Sequence, residues 1–423
     1  MKTILVKGPA LSRSGYGVQT RFALRSLRAY EDRFNILLMN IPWGRTGWIT
    51  DNNEEREWFD HLIGKAQHHL SQQLPIDISL QVTIPNEWEQ MAPVNIGYTA
   101  GIETNKVAPQ WIEKAGLMNK IIVVSNHAKE VYEKTSYIAK EEGKEFPFSV
   151  STFGTPIEVA NYAVDTLEQE KCDIKLDYDF NFLTVAQWGP RKNLNNTIRW
   201  FIEEFKDEEV GLVVKANFAN NSTQDKIHTA NILKSLIHDQ SDRKCKIYLL
   251  HGDLTTEQMN YLYNHKKIKA YATITHGEGF GLPIFEAAYN GLPVIAPAWS
   301  GQCDFLYAPV KTGKQKKEKI RPLFSKVDYT MQQVPQQVVW EGVIVPDSMW
   351  CYADQKSFKD NLRDVYKNHT RAIGKSRKLK KYLLENFSQE IQYKKMANFI
   401  YDEDFHSMED WLTSIASEAE VHE

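Results

Sequence analysis

The chain is poor in the features that would place it at once. It has four cysteines in 423 residues, Cys172, Cys245, Cys303 and Cys351, and none stands in a C-x-x-C pair. That scatter fits neither a zinc frame nor a disulfide scaffold and reads as ordinary thiols in a reducing compartment. No apolar run approaches the roughly 20 residues that a membrane-crossing helix needs, so membrane insertion is not expected. The apolar core of Met1–Gly8 is too short for a signal peptide and suits a first strand, giving cytoplasmic location as the expectation. An excess of one charge is missing too: 51 Lys and Arg face 54 Asp and Glu, for a net charge of −3. Such a balance exerts no global pull on nucleic acid or an anionic membrane. No D-x-D cluster suited to a divalent cation stands out, so neither a metal nor another cofactor is expected.

What is present is a folded, soluble composition, 42% hydrophobic and 25% charged. The length exceeds one ordinary core and implies two domains or three. The most informative stretch is Thr275–Asp304, T-H-G-E-G-F-G-L-P-I-F-E-A-A-Y-N-G-L-P-V-I-A-P-A-W-S-G-Q-C-D. Pro283 and Gly291 bracket a helix, and Pro293–Ala296 has the length and composition of a strand. Spare amides at Gly279, Phe280, Gly281 and Leu282 would form an anion-binding helix start. Two carboxylates beside it, Glu278 and Glu286, would repel a phosphate. They make sense if they accept hydrogen bonds from hydroxyls flanking it, a sugar on one side and a ribose on the other. The plain alternative is a tight turn with both glutamates solvated.

Residues 3–6 read as a strand, followed by Gly8-Pro9, the loop Ser12–Val18 and a helix carrying Phe22, Leu24 and Leu27. Strand, glycine loop, helix opens a doubly wound α/β unit, where ligands bind at the carboxyl ends of strands. The G-Y-G of Gly15 and Gly17 lacks a dinucleotide fingerprint's third glycine; these glycines either close the turn or approach a ligand. Further strands are expected at 35–41, 76–84 and 94–99, with a helix at 53–73. Ser125 and Asn126 would cap a helix starting at His127. The loop 42–48, with Trp43, Arg45 and Trp48, either stacks on a sugar or base or packs beneath itself. A second α/β unit opens at Asn181–Val185 and runs into Gln187–Leu194. There Arg191 and Lys192 would supply a forked donor and a point charge to a diphosphate, or would simply be surface residues at a helix start. Strands follow at 212–216 and 246–250, the latter leading to His251 and Leu254. The basic segments 311–321, expected as a solvated loop, and 375–381, expected on a helix, could meet a polyanion such as DNA or only water. Residues 357–400 read as helices.

G-E-G-F-G-L-P-x-x-E-A-x-x-x-G-x-P-V-I-A resembles the E-x7-E signature of retaining glycosyltransferases with the GT-B fold, of the large family-4 type. The resemblance is closest over Phe180–Leu306 and looser over Gly97–Glu158. It implies an α/β chain of two Rossmann-like domains facing across a cleft. Their bounds would be 1–160 on the acceptor side, a linker at 161–179, a nucleotide-sugar domain at 180–395, and helices at 396–423 crossing back. It implies that Glu278 contacts the donor sugar, that Glu286 contacts the ribose, and that Arg191 and Lys192 hold the diphosphate. Their spacing is tighter than the usual pattern. Gly15 and Gly17 fall in the family's glycine-rich loop near donor and acceptor. Many members place a histidine near the sugar; here the matching positions hold Gly101, Ile102 and Glu103, so Glu103 would substitute or else be a buried helix cap. His251 and Leu254 would lie beside the base or be packing residues.

The activity so implied is transfer of a hexosyl or pentosyl group from a nucleoside diphosphate sugar, a UDP-sugar by preference, to an acceptor hydroxyl. Rival readings are an epimerase or hydrolase on the same fold, or a non-catalytic nucleotide binder. The Asn- and Lys-rich style is also similar to glycosyltransferases carried by tailed phages. Some of those modify hydroxymethylated DNA bases, which requires flipping the base from the duplex. Hydroxymethylated DNA, a glycan and a small molecule are therefore the candidate acceptors.

Overall fold

A computed structural model describes residues 1–44, 46–141, 144–240, 242–312 and 317–402. It contains two six-stranded sheets, and all the strand pairings within both are parallel. The first runs, edge to edge, Phe34–Asn40, Lys2–Gly8, Ile78–Val82, Val94–Thr99, Lys120–Val123, Ile157–Val159. The second runs Lys246–Leu250, Gly211–Asn217, Asn181–Gln187, Ile268–Ala272, Val294–Pro297, Ser325–Val327. Strands covered on both faces must be apolar in succession rather than in alternation, and Ile4, Leu5 and Val6 are fully buried, as are Leu212, Val213 and Val214 to within 1%.

Strand order decides where chemistry can sit. In a doubly wound sheet the crevice lies where successive connections leave in opposite directions. In the second sheet that point falls between Asn181–Gln187 and Ile268–Ala272. The loops leaving those two strands are the Arg191–Lys192 loop and the Glu278 loop. In the first sheet it falls between Lys2–Gly8 and Ile78–Val82, beside the loop that leads into the helix Gly15–Arg28.

The two sheets share one continuous apolar cluster. It includes Phe22 and Tyr98 from the first half and Phe280, Phe285 and Phe305 from the second. Phe285 is its aromatic hub, with ring centroids 5.2 Å from Phe280, 5.0 Å from Phe305 and 5.6 Å from Phe387. The last described helix, Gln389–Ile400, lies on the first half, where the Tyr393 ring meets Phe22 at 5.7 Å. The rest of the expected tail, 403–423, lies outside the described residues.

One expectation is corrected. Residues 311–312 and 317–321 of the basic stretch are strand and not loop: Tyr307–Thr312 and Lys317–Pro322 pair antiparallel, with Lys311 opposite Glu318. Tyr307, Val310 and Ile320 supply strand formers among the lysines, while Glu318 to Arg321 stay exposed, so charge counting obscured the strands. Residues 313–316 of that segment, and Arg45 of the tryptophan loop, lie outside the described residues. The stretch 375–381 is helical, within His369–Asn386.

Phe285→Ala should remove about 3–5 kcal/mol of stability. Urea unfolding followed by tryptophan fluorescence should show a lower midpoint, and an unchanged midpoint would remove the hub from the account.

Candidate active site

The loop after Asn181–Gln187 is short and held at both ends. Trp188 is 8% exposed and donates from Nε1 to Asn195 Oδ1 at 3.0 Å, pinning the loop to the helix that follows. A tight turn at Pro190–Lys192 then aims two adjacent basic side chains across the sheet end. Facing them is the Glu278 loop. The N–H of His276 donates to the Arg191 carbonyl at 2.8 Å, tying the loops together through the backbone.

Four charged side chains meet there. Lys192 Nζ lies 2.6 and 2.8 Å from the two Glu278 carboxylate oxygens. Arg191 reaches Glu278 at 3.1 Å through one terminal nitrogen and Glu103, from the first half, at 3.1 Å through the other. It also donates to the Gly277 carbonyl at 2.6 Å. The four side chains named as catalytic candidates are thus brought into one cluster. Glu278 is 7% exposed. Burial works against its charge, but Lys192 and Arg191 outweigh burial and hold its pKa at about 2. Burial, with Arg191 beside it, lowers the pKa of Lys192.

Glu286 stands apart from this cluster, on the helix Leu282–Tyr289. It faces a cavity of about 140 Å³ lined by Arg21, Arg25, Tyr162, Asp165 and Thr256 among others. Tyr263 donates its hydroxyl to Glu286 Oε2 at 2.8 Å. Burial pushes the Glu286 carboxyl up to about 7; the tyrosine opposes the shift and Asp165 adds to it. Two glutamates one motif apart are therefore poised oppositely, one a fixed anion and one ready to share a proton.

Between them is the helix start. Gly281 adopts φ +97°, a left-handed conformation that glycine takes without cost, and this turns the chain into the helix. Among the described residues the N–H groups of Gly279, Phe280, Gly281 and Leu282 find no acceptor. The Phe280 side chain is 3% exposed and packs in the core, so only its backbone belongs to the site. A Cβ on Gly279 would lie 2.5 Å from the Ala100 carbonyl oxygen of the first half. Gly279 also accepts a hydrogen bond from Ser125 Oγ at 2.6 Å. Gly15 opens the helix Gly15–Arg28 with free space around it, whereas the Gly17 N–H is taken by Ser14 Oγ at 3.0 Å.

Several contacts here carried no sequence signal, because segments far apart in the chain make them. Asp304 accepts from the Asn126 N–H at 2.9 Å, from Asn126 Nδ2 at 3.1 Å and from Asn161 Nδ2 at 2.9 Å. Arg13 meets Asp253 at 3.3 Å, and Lys215 donates to the Gly252 carbonyl at 2.6 Å. Trp43 packs on Tyr16, ring centroids 4.6 Å apart, while Trp48 is exposed. His251 is paired with Asp225 at 2.7 Å. Among the described residues no group of three or more His, Cys, Asp or Glu side chains could hold a metal.

Glu286→Gln tests the raised carboxyl. Stability from its bound proton is full below the unfolded value near 4.5 and is lost as pH rises through about 7. The amide cannot ionise, so it should gain on the wild type as pH rises, by an amount on the order of 1–3 kcal/mol at pH 8. Urea midpoints of both proteins between pH 4.5 and 8 check this; a difference flat with pH would contradict it.

No protein-family model matches the chain, and no curated protein matches it in sequence. Solved structures do match. Sucrose-phosphate synthase from Thermosynechococcus elongatus superposes with a TM-score of 0.60 at 12% identity, over 96% of this chain and all of that one. A glycosyltransferase from Rickettsia africae gives 0.57 at 12% identity, over 95% of this chain and 99% of the other. Anabaena HepE in complex with UDP and glucose gives 0.56 at 11% identity, over 94% and 99%. At these identities the likeness is one of architecture, and it spans nearly the whole length: the chain has the two-domain GT-B fold.

Proposed function

We propose that the protein is a retaining glycosyltransferase that moves a sugar from a nucleoside diphosphate sugar, a UDP-sugar by preference, to an acceptor hydroxyl. One observation carries this reading: Arg191 and Lys192 converge on Glu278 at the second sheet's switch point, beside a helix start with free amides. The fold neighbour from Anabaena, bound to UDP and glucose, supports a donor of this class.

The chemistry follows from charge. The bond between the anomeric carbon and the diphosphate oxygen breaks, and its electron pair leaves with the diphosphate. Arg191, Lys192 and the amides of Gly279–Leu282 meet that growing negative charge, the kind of fixed electrostatic stabilisation that lowers a barrier most. These groups take the part a divalent cation would otherwise play. The acceptor oxygen bonds to the anomeric carbon on the face the diphosphate leaves, and its proton passes to the leaving phosphate oxygen. Glu278 receives a sugar hydroxyl and Glu286 the ribose hydroxyls. Glu103 holds Arg191 from the acceptor side, where Tyr16 and Trp43 supply aromatic surface.

Nucleoside diphosphate release from UDP-, GDP- and ADP-sugars, with hydroxymethylcytosine DNA or a panel of glycans and small alcohols, tests the reading. Release that depends on an acceptor supports transfer and names that acceptor. Release into water alone would make the protein a hydrolase, and no release from any donor would defeat the proposal. Glu278→Ala should slow turnover about 100-fold or more while changing nucleoside diphosphate affinity far less, whereas Arg191→Ala, which removes a partner of the diphosphate, should lower both. Near-normal turnover in Glu278→Ala would contradict its assigned role.

A further inference from the structure

A short antiparallel pair, Tyr329–Gln333 with Met349–Ala353, lies outside the two main sheets. The stretch joining its strands, 334–348, is seated on the opposite half of the molecule. Asn86 Nδ2 donates to the Gly342 carbonyl at 2.9 Å, and Lys106 pairs with Asp347 at 2.6 Å. The Met349 N–H donates to Asn105 Oδ1 at 2.7 Å. Val343, 5% exposed, enters the apolar cluster of Trp88, Ile102 and Trp111. Asn86 is itself fixed, because its Oδ1 accepts from Trp111 Nε1 at 2.7 Å. The stretch is a strap from the second half, fastened to the first by Val343 with Ile344 and Val345 beside it, by the contacts of Gly342 and Asp347, and by that of Met349 at its end.

The strand at the strap's end also grips the Glu278 loop, and it does so through one residue. The His276 carbonyl accepts from the Cys351 N–H at 3.1 Å, and His276 Nδ1 lies 2.7 Å from the Cys351 carbonyl. A carbonyl can only accept, so Nδ1 carries the proton. The imidazole stacks on Trp350 with centroids 5.2 Å apart and planes 6° from parallel, and its other neighbour Tyr352 is 4.4 Å away. On its remaining side the His276 N–H holds the Arg191 carbonyl. Backbone and ring of one buried residue thus join the loop of the basic pair, the loop of the glutamate and the strand bearing the strap.

The geometry points to His276 as a positioning residue that sets Arg191 and Glu278 against each other and couples both to the seating of the strap 334–348. It touches neither the leaving group nor the sugar in the proposed mechanism; it acts through its neighbours. Displacing a reacting geometry by about 1 Å can cost about 100-fold in rate, so a clamp of this kind has a kinetic signature. The kinetic part of the inference rests on the glycosyl-transfer reading, whereas the coupling itself does not.

Three variants separate its parts. His276→Ala removes ring and donor, His276→Phe keeps a flat ring for Trp350, and His276→Asn keeps a nitrogen able to donate to the Cys351 carbonyl. In His276→Ala, kcat per titrated nucleotide site should fall about 100-fold, with donor KM nearly unchanged. Asn and Phe should each recover part of the loss. Amide hydrogen exchange in His276→Ala should quicken in 190–193, in 276–281 and in 334–348 together. An unchanged kcat per site, or quickening confined to 276–281, would overturn the inference. Should the wild type turn over no sugar donor, the transfer reading falls while exchange at the strap still decides the coupling.

Discussion

A carboxylate with little access to water, gripped by an ammonium and a guanidinium, sets the terms for everything around it. Glu278 could not remain charged at 7% exposure without Lys192 and Arg191, and those cations could not stay clustered without it and Glu103. Two positive and two negative groups balance, which keeps the cluster affordable in a poorly hydrated place. Removing any one leaves an uncompensated charge on the others. The loops that carry these groups are accordingly short, glycine-lined and tied to each other by backbone hydrogen bonds.

The same constraint explains the division of labour along the E-x7-E motif. Eight residues carry the chain from the loop to a full turn inside the helix, so the second glutamate emerges on another side of the helix start. There it accepts from Tyr263 and makes no ion pair among the described residues, and burial raises its proton affinity. One short sequence thus delivers two carboxylates of opposite character to the two sides of one helix start with free amides. Fold supplies this, through a strand that ends at a switch point and a left-handed glycine that redirects the chain.

What could be read from the sequence follows from how local each feature is. The parallel strands were visible as apolar runs, and Pro283 and Gly291 marked their helix. The motif identified Glu278 and Glu286, and the loop after the strand at 181–185 offered the basic pair; the structure joins Glu278, Arg191, Lys192 and Glu103 in one chain of ion pairs. Features made by distant segments left no trace. Asp304 looked like any aspartate, yet it binds Asn126 and Asn161 across the cleft. Nothing local marked His276 or Val343, because their partners, Cys351 and the cluster of Trp88 and Trp111, come from remote segments. The strands at 307–312 and 317–322 were hidden because their lysines outweigh the few strand formers among them.

The bond from Ser125 to the Gly279 carbonyl has a consequence for timing. It belongs to the same loop as Glu278 but is donated by the opposite half, as is the Glu103 partner of Arg191. Any parting of the halves wide enough to admit a substrate must break both contacts and release the loop from its working position. On the proposed reading, a substrate that entered by parting the halves would find the site incomplete until they closed. An activated sugar bound as proposed would meet a complete set of stabilising charges only after the halves had come together and water had been displaced, an order of events that would spare a labile donor from hydrolysis.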